Sequence, residues 1–187
     1  MARQIPLLSE VESFVRKHHT DIVFQTMSGK GYERPQLKHL QEVADLVWAS
    51  GGSDAEIAAA WLHDTIEDTS IKLEEIEQRF GKEIAEIVHG LTDLPEFDGL
   101  PVEERKKKQA ERVKTESISV RRIKLCDQTS NTKFISMEAP PSWSREHCIK
   151  YVLGAKLIAD NCKGISPMLD TLFEEEHRKA KERLGIK

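Results

Sequence analysis

The segment Ala58–Thr69, AAAWLHDTIEDT, constrains the fold of this chain more than any other. An apolar helical stretch runs into adjacent His63 and Asp64, and Glu67 and Asp68 follow within one turn. At about 3.6 residues per turn, His63 and Glu67 share one helix face and Asp64 and Asp68 share another. An imidazole and three carboxylates therefore project from a wall of Ala, Trp and Leu. Burying that much charge is costly unless a cation or a hydrogen-bond network compensates it. A divalent metal is the economical compensation, and it would require other helices to bring further ligands to this segment.

A chain of 187 residues accommodates one domain around a single core, so residues 1–187 are taken as one unit. With 39% hydrophobic and 32% charged residues, the composition is that of a soluble globular protein. The net charge of −4 leaves no global basic footprint for nucleic acid. No apolar run approaches the roughly 18–20 residues of a membrane span, and MARQIPLLSEVESF lacks a signal-peptide core. Cys126, Cys148 and Cys162 are odd in number and form no CxxC pair, which suits reduced, packed thiols in a cytoplasmic protein.

Nearly every segment reads as helix, and the expected architecture is all-α: a compact single-domain helical bundle. Val11, Phe14, Val15 and Ile22 fall at helical spacing in a first helix over 8–24. SGKGYERP, residues 28–35, is a loop, with Pro35 suited to a first helical turn. The next helix carries His39, Val43, Leu46 and Val47 to a stop at Ser50–Gly52. Ser53 and Glu56 have capping-box spacing at the start of the helix that ends in His63. Further helices are expected over 73–80, around Ile84–Leu91, through VEERKKKQAERVK, over 147–161 and over 168–183. DLPEFDGLP and MEAPPSWS are loops. The run SISVRRIKLCDQTSNTKFI is β-branched at its start, but its continuation through Asp127 and Asn131 favours helix.

His39 is the best upstream candidate for a further ligand, since it sits near a helix start beside the apolar face of Leu40, Val43, Ala44 and Val47. Taken alone, it also fits a hydrogen-bonded core histidine. Asp127 is the downstream candidate, in RRIKLCDQTSN with Asn131 one turn later. The alternative for Asp127 is a buried ion pair with Lys124 or Arg121. Two His and two Asp suit Mn²⁺, Fe²⁺ or Zn²⁺ with an open position for water. Glu67 and Asp68 would then orient or deprotonate that water, or else be plain helix-surface acids. The basic run Arg105–Lys108 is either a solvated helix face or a phosphate-binding lip, with Lys106 and Lys107 as candidates. Trp48, Trp61 and Trp143 read as core or loop anchors.

WLHDTIEDT, the upstream His39 and the downstream KLCDQTSN together resemble the HD-domain metal-dependent phosphohydrolases, in particular the hydrolase domain of RelA/SpoT-type enzymes and the free-standing small alarmone hydrolases. The resemblance spans most of the chain: HLQEVADLV, AAAWLHDTIEDTSIKLEEIEQRFGKEIAEIVHGLTDL, ERKKKQAER and IKLCDQTSNT each fit a family segment. It implies an all-α fold and one Mn²⁺ bound by His39, His63, Asp64 and Asp127. The implied reaction releases pyrophosphate from the 3′ position of a purine nucleotide alarmone, as in the stringent response. Glu67 and Asp68 would position and activate water, and Asn131 would contact the nucleotide.

The departures from the family lie on the substrate side. Gln128 stands where Arg or Lys is usual, Ser130 where His or Tyr is frequent, and Asp93 where a Lys follows the Gly-x-Thr turn. An upstream Arg-Lys pair is Thr26-Met27 here, with Lys30 and Arg34 nearby, and Lys30 is taken as a substrate contact. Guanosine and adenosine alarmones are both open. The alternatives are another HD-domain phosphatase or nucleotidase, including one acting on NADPH, and a nucleotide-sensing module without turnover.

Overall fold

The structure is a computed structural model that describes residues 5–19, 23–24, 34–138 and 142–187. Ten α-helices are described: α1 (Ile5–His19), α2 (Gln36–Ala49), α3 (Asp54–Leu62), α4 (Thr65–Asp68), α5 (Leu73–Phe80), α6 (Lys82–Leu91), α7 (Val102–Val113), α8 (Ile118–Met137), α9 (Arg145–Cys162) and α10 (Pro167–Leu184). A single 3₁₀ turn, Pro95–Phe97, interrupts the loop before α7. The only extended structure among the described residues is an antiparallel pair of two-residue strands, β1 (Val23–Phe24) and β2 (Arg34–Pro35). The all-α expectation holds, and one continuous cluster of buried side chains draws on α1–α3 and α5–α10.

α3 explains the apolar wall in the sequence. Ala58, Ala59, Ala60 and Leu62 have no solvent exposure, because α1, α2, α6 and α8 all pack around this helix. A helix surrounded on every side is apolar all round, and its small alanines let the neighbours approach closely. The capping box at its start is present: Ser53 Oγ accepts from the Glu56 N–H at 3.1 Å, and Glu56 Oε2 accepts from the Ser53 N–H at 2.6 Å. Glu56 Oε1 also accepts from Arg122 Nε of α8 at 3.1 Å, and Arg122 Nη1 donates to the Ser50 carbonyl at 3.0 Å. These bonds tie the start of α3 to α8, the two helices that carry the central His-Asp pair and Asp127.

α8 is helical throughout, as its later half implied, and it packs against α2, α3, α6, α9 and α10. The first helix is shorter than its apolar spacing predicts. It stops at His19, and Val23–Phe24 is extended, while Ile22 lies outside the described residues. The run Thr-Asp-Ile-Val that follows combines β-branched residues with Asp, all weak helix formers, so periodicity alone overextends the helix. Pro35 sits one residue before α2, as the last residue of β2, not inside the first turn. Trp61 is buried as expected, whereas Trp48 is 60% exposed and Trp143 is half-buried.

Candidate active site

Five helices (α2, α4, α7, α8 and α9), the α3–α4 junction and the loop residues Asp93 and Trp143 line a single cavity of about 240 Å³. α2 contributes Gln36 and His39, the α3–α4 junction Asp64, and α4 Glu67 and Asp68. α7 contributes Arg105, Lys106 and Gln109, and α8 contributes Lys124, Asp127, Gln128, Asn131 and Phe134. His63 lies directly beneath, as the C-cap of α3.

His39, His63 and Asp64 each offer a ligand atom within 4.8 Å of the others. The two Nε2 atoms are 3.2 Å apart. Asp64 Oδ1 lies 3.2 Å from His63 Nε2 and its Oδ2 3.7 Å from His39 Nε2. Asp127 Oδ1 lies 3.4 Å and 3.9 Å from the His39 and His63 Nε2 atoms. The structure thus brings together the four residues that the sequence nominated from separate segments.

Hydrogen bonds on the far side of each ring set the tautomers. His63 Nδ1 is 2.8 Å from the Ala60 carbonyl, which only accepts, so Nδ1 carries the proton. His39 Nδ1 is 3.0 Å from Ser130 Oγ, and that hydroxyl donates its one proton to Glu42 Oε2 at 2.7 Å. Ser130 Oγ therefore accepts from His39 Nδ1–H. In their neutral forms both rings would present Nε2 lone pairs to one point, an arrangement that repels unless a cation lies between them. The residues present fit a divalent metal, with outer partners of the kind that orient ligating histidines.

The surrounding charges divide by position. For Asp127, burial alone would raise the carboxyl, but in the metal-free cluster the bond to His39, the charge of Lys124 and the charge His63 carries when protonated outweigh it and hold it below the usual carboxylate range. Gln36 Nε2 donates to Asp64 Oδ2 at 2.5 Å. Glu67 and Asp68 are reached by solvent through the mouth of the cavity. The protein mass around them nevertheless raises both carboxyls, with the Asp64 charge adding to the effect, and Asp68 reaches about 7. Glu67 Oε1 accepts from the Asp93 N–H at 2.8 Å, which fixes one of its oxygens.

The basic side is built from α7 and α8. Burial pulls the Lys106 ammonium down to about 7, against the pull of Asp127. Burial opposes the charge of Lys124 too, but the Asp127, Asp93, Glu67 and Asp64 carboxylates outweigh it and raise the ammonium.

Of the candidate substrate contacts, Lys106 and Asn131 line the cavity. Asn131 Nδ2 donates to Asp127 Oδ1 at 2.6 Å. Lys107 is not brought to the site: one residue further round α7, it is exposed and pairs with Glu103 at 2.7 Å. The inward arc of α7 is covered by Arg105, Lys106 and Gln109, and Lys107, about 100° beyond Lys106, falls outside it. Lys30, Thr26 and Met27 lie outside the described residues. The sequence gives no site role to Gln36, Gln109 or Tyr151, places Arg105 only within the basic run and Lys124 only as an ion-pair partner of Asp127, and marks Trp143 only as an anchor, although all line the cavity. The i, i+4 spacing of Arg105 and Gln109 was the available signal for one of these faces.

Cys126, Cys148 and Cys162 are buried and free. Burial pushes the Cys162 thiol up to about 12, so it carries no thiolate chemistry near neutral pH.

Residues 14–149 match the family model described as HD domain. The chain belongs to the HD domain family. The HD pair itself is His63-Asp64, the first element of the cluster. A curated relative from Drosophila melanogaster, the guanosine-3′,5′-bis(diphosphate) 3′-pyrophosphohydrolase MESH1, is 30% identical over 148 residues, covering 78% of this HD domain protein and 81% of the relative. The protein of the same name from Xenopus tropicalis is 30% identical over 172 residues, covering 91% and 92% of the two chains. A solved structure described as a metazoan ortholog of SpoT that hydrolyzes ppGpp matches with a TM-score of 0.85 at 24% identity, over 96% of this chain and 98% of the other. That likeness establishes the fold. No helix among the described residues is long and apolar enough to cross a membrane.

Proposed function

We propose that this chain is a cytoplasmic Mn²⁺-dependent hydrolase that removes pyrophosphate from the 3′ position of a guanosine or adenosine alarmone, with residues 1–187 acting as one HD-type unit. The observation that carries the reading is the pair of imidazole Nε2 atoms 3.2 Å apart with Asp64 and Asp127 oxygens within 3.9 Å of them, in a cavity also lined by Glu67, Asp68 and the basic Arg105, Lys106 and Lys124. The names of the curated relatives support the same reaction.

In this reading His39, His63, Asp64 and Asp127 hold the ion, which when bound supplies Lewis acidity at the phosphoryl group and acidifies water. Glu67, pinned by the Asp93 N–H, and Asp68 hold the attacking water and take up its proton. The near-neutral Asp68 carboxyl suits that transfer, because a general base works best close to the operating pH. Water adds at the phosphorus nearest the ribose, the bond from that phosphorus to O3′ breaks, and O3′ takes a proton as pyrophosphate leaves. Arg105, Lys106 and Lys124 face the incoming phosphates with charge-assisted donors. Asn131 borders the place where the ribose would sit, and Lys30 is proposed as a further substrate contact from the preceding segment.

The test is product analysis with Mn²⁺ present, offering guanosine and adenosine 3′-diphosphate alarmones beside NADPH, with His63→Ala as the blank. Pyrophosphate from either alarmone supports the proposal and assigns the base. Orthophosphate as the sole product would make the chain a phosphatase, and metal binding without turnover would make it a nucleotide sensor.

A further inference from the structure

Gln128 follows Asp127 on α8 and is 1% exposed. Its Nε2 donates to Asp127 Oδ2 at 2.7 Å, and its Oε1 accepts from Lys106 Nζ of α7 at 2.7 Å. A carboxylate only accepts, so this carboxamide has one permitted orientation, with Nε2 on Asp127 and Oε1 turned to the lysine. Turning it over would set Oε1 against the Asp127 carboxylate and the amide N–H groups against the ammonium.

Lys106 reaches this position through a close crossing of α7 over α9. A Cβ built at Gly154 would lie 2.4 Å from Lys106 Cβ, so only glycine admits the lysine stem there. The ammonium then sits 4.0 Å from the centre of the Tyr151 ring, over its face. At the other end, Asn131 holds Asp127 Oδ1 at 2.6 Å while Gln128 holds Oδ2. With both oxygens held, the carboxylate cannot rotate, and Oδ1 is the oxygen turned toward the two imidazoles.

We propose that Lys106 is a positioning residue for Asp127, acting through the carboxamide of Gln128. The inference rests on the ligand set proposed above. A neutral amide orients Asp127 without sharing its charge, and the cation that locks the amide stands one residue further away. Gln128, a departure from the family pattern, thereby acquires a role together with the lysine.

The experiment measures Mn²⁺ dissociation constants by calorimetry, without nucleotide, for wild type, Lys106→Met, Gln128→Leu and the double variant, with thermal melts as the check on folding. The expected result is a loss of about 10-fold or more in Mn²⁺ affinity for each single variant, in the range typical of outer partners of metal ligands. The double variant should bind no more weakly than Gln128→Leu alone, because the lysine acts through the amide. Additive losses overturn the proposal. So does Lys106→Met with wild-type Mn²⁺ affinity and only a raised KM, the signature of a phosphate contact alone. Lys106→Gln, whose side chain is too short to reach the amide, gives the same readout should the Met variant not fold. A wild-type protein that binds no divalent cation overturns the ligand set and this inference together; intact wild-type binding with unaltered variants overturns this inference only.

Discussion

His39 of α2 and Ser130 of α8, 91 positions apart in the chain, meet at 3.0 Å between Nδ1 and Oγ. Because Ser130 donates to Glu42, it must accept from the ring, and a neutral His39 then turns its Nε2 lone pair toward the cluster. Ser130→Ala removes that acceptor together with the donor to Glu42. The expected outcome is Mn²⁺ affinity lower by about 10-fold or more with an unchanged helical content, measured by calorimetry and circular dichroism. Equal affinity in the variant would show that the hydroxyl does not set the tautomer.

Glu67 is assigned to water and not to the ion. Glu67→Gln should keep metal binding and lower kcat by about 10²–10⁴-fold, the usual contribution of a positioned acid-base group. Asp64→Ala and Asp127→Ala should lose metal and activity together. Steady-state kinetics paired with metal titration separates the two classes, and undiminished turnover in Glu67→Gln would remove it from the chemistry.

Asp68 gives the metal-free protein a signed pH dependence. Its carboxyl rises from 3.8 to about 7 on folding, so the folded state binds the proton more tightly than the unfolded state does. Its contribution to stability is fully present below the unfolded value and is lost as pH rises through about 7. The melting temperature of the metal-free wild type should therefore fall more steeply between about pH 4 and 7 than that of Asp68→Asn. Parallel curves for the two proteins would contradict the raised carboxyl.

The α7–α9 crossing is tight at one glycine. Gly154→Ala places a methyl 2.4 Å from Lys106 Cβ, and overpacking of this kind costs about 1–3 kcal/mol. Urea denaturation of the metal-free protein measures it. A variant as stable as wild type would show that the two helices can separate freely.

His63, Asp64, Glu67 and Asp68 were legible in the sequence because one short segment holds them all and helical periodicity alone relates their faces. The capping box at Ser53 was legible for the same reason: both partners lie within one turn. His39 and Asp127 could be nominated as candidates from their helix positions, with a core histidine and a buried ion pair left open, since nothing local says that residues 24 and 64 positions from His63 meet it. The basic face of α7 was half legible. Charge count marked the run, but choosing between Lys106 and Lys107 needs the position of α9, and Gly154 decides it from 48 residues away. Ser130 stands out in the sequence only as a departure from a pattern, and its bond to His39 and that of Gln36 to Asp64 emerge only when α2, α3 and α8 are packed together. The end of α1 at His19 is not marked by apolar spacing, which continues to Ile22 although Val23–Phe24 is extended.

Hydrolysis in ¹⁸O-labelled water tests the central claim most directly. A guanosine or adenosine 3′-diphosphate alarmone is turned over with Mn²⁺, and the label is located by mass spectrometry of the products. The account predicts one labelled oxygen in released pyrophosphate and an unlabelled 3′-hydroxyl, the mark of attack at the phosphorus held beside His39, His63 and Asp127. Label in orthophosphate, with a 3′-monophosphate left on the nucleotide, would contradict it.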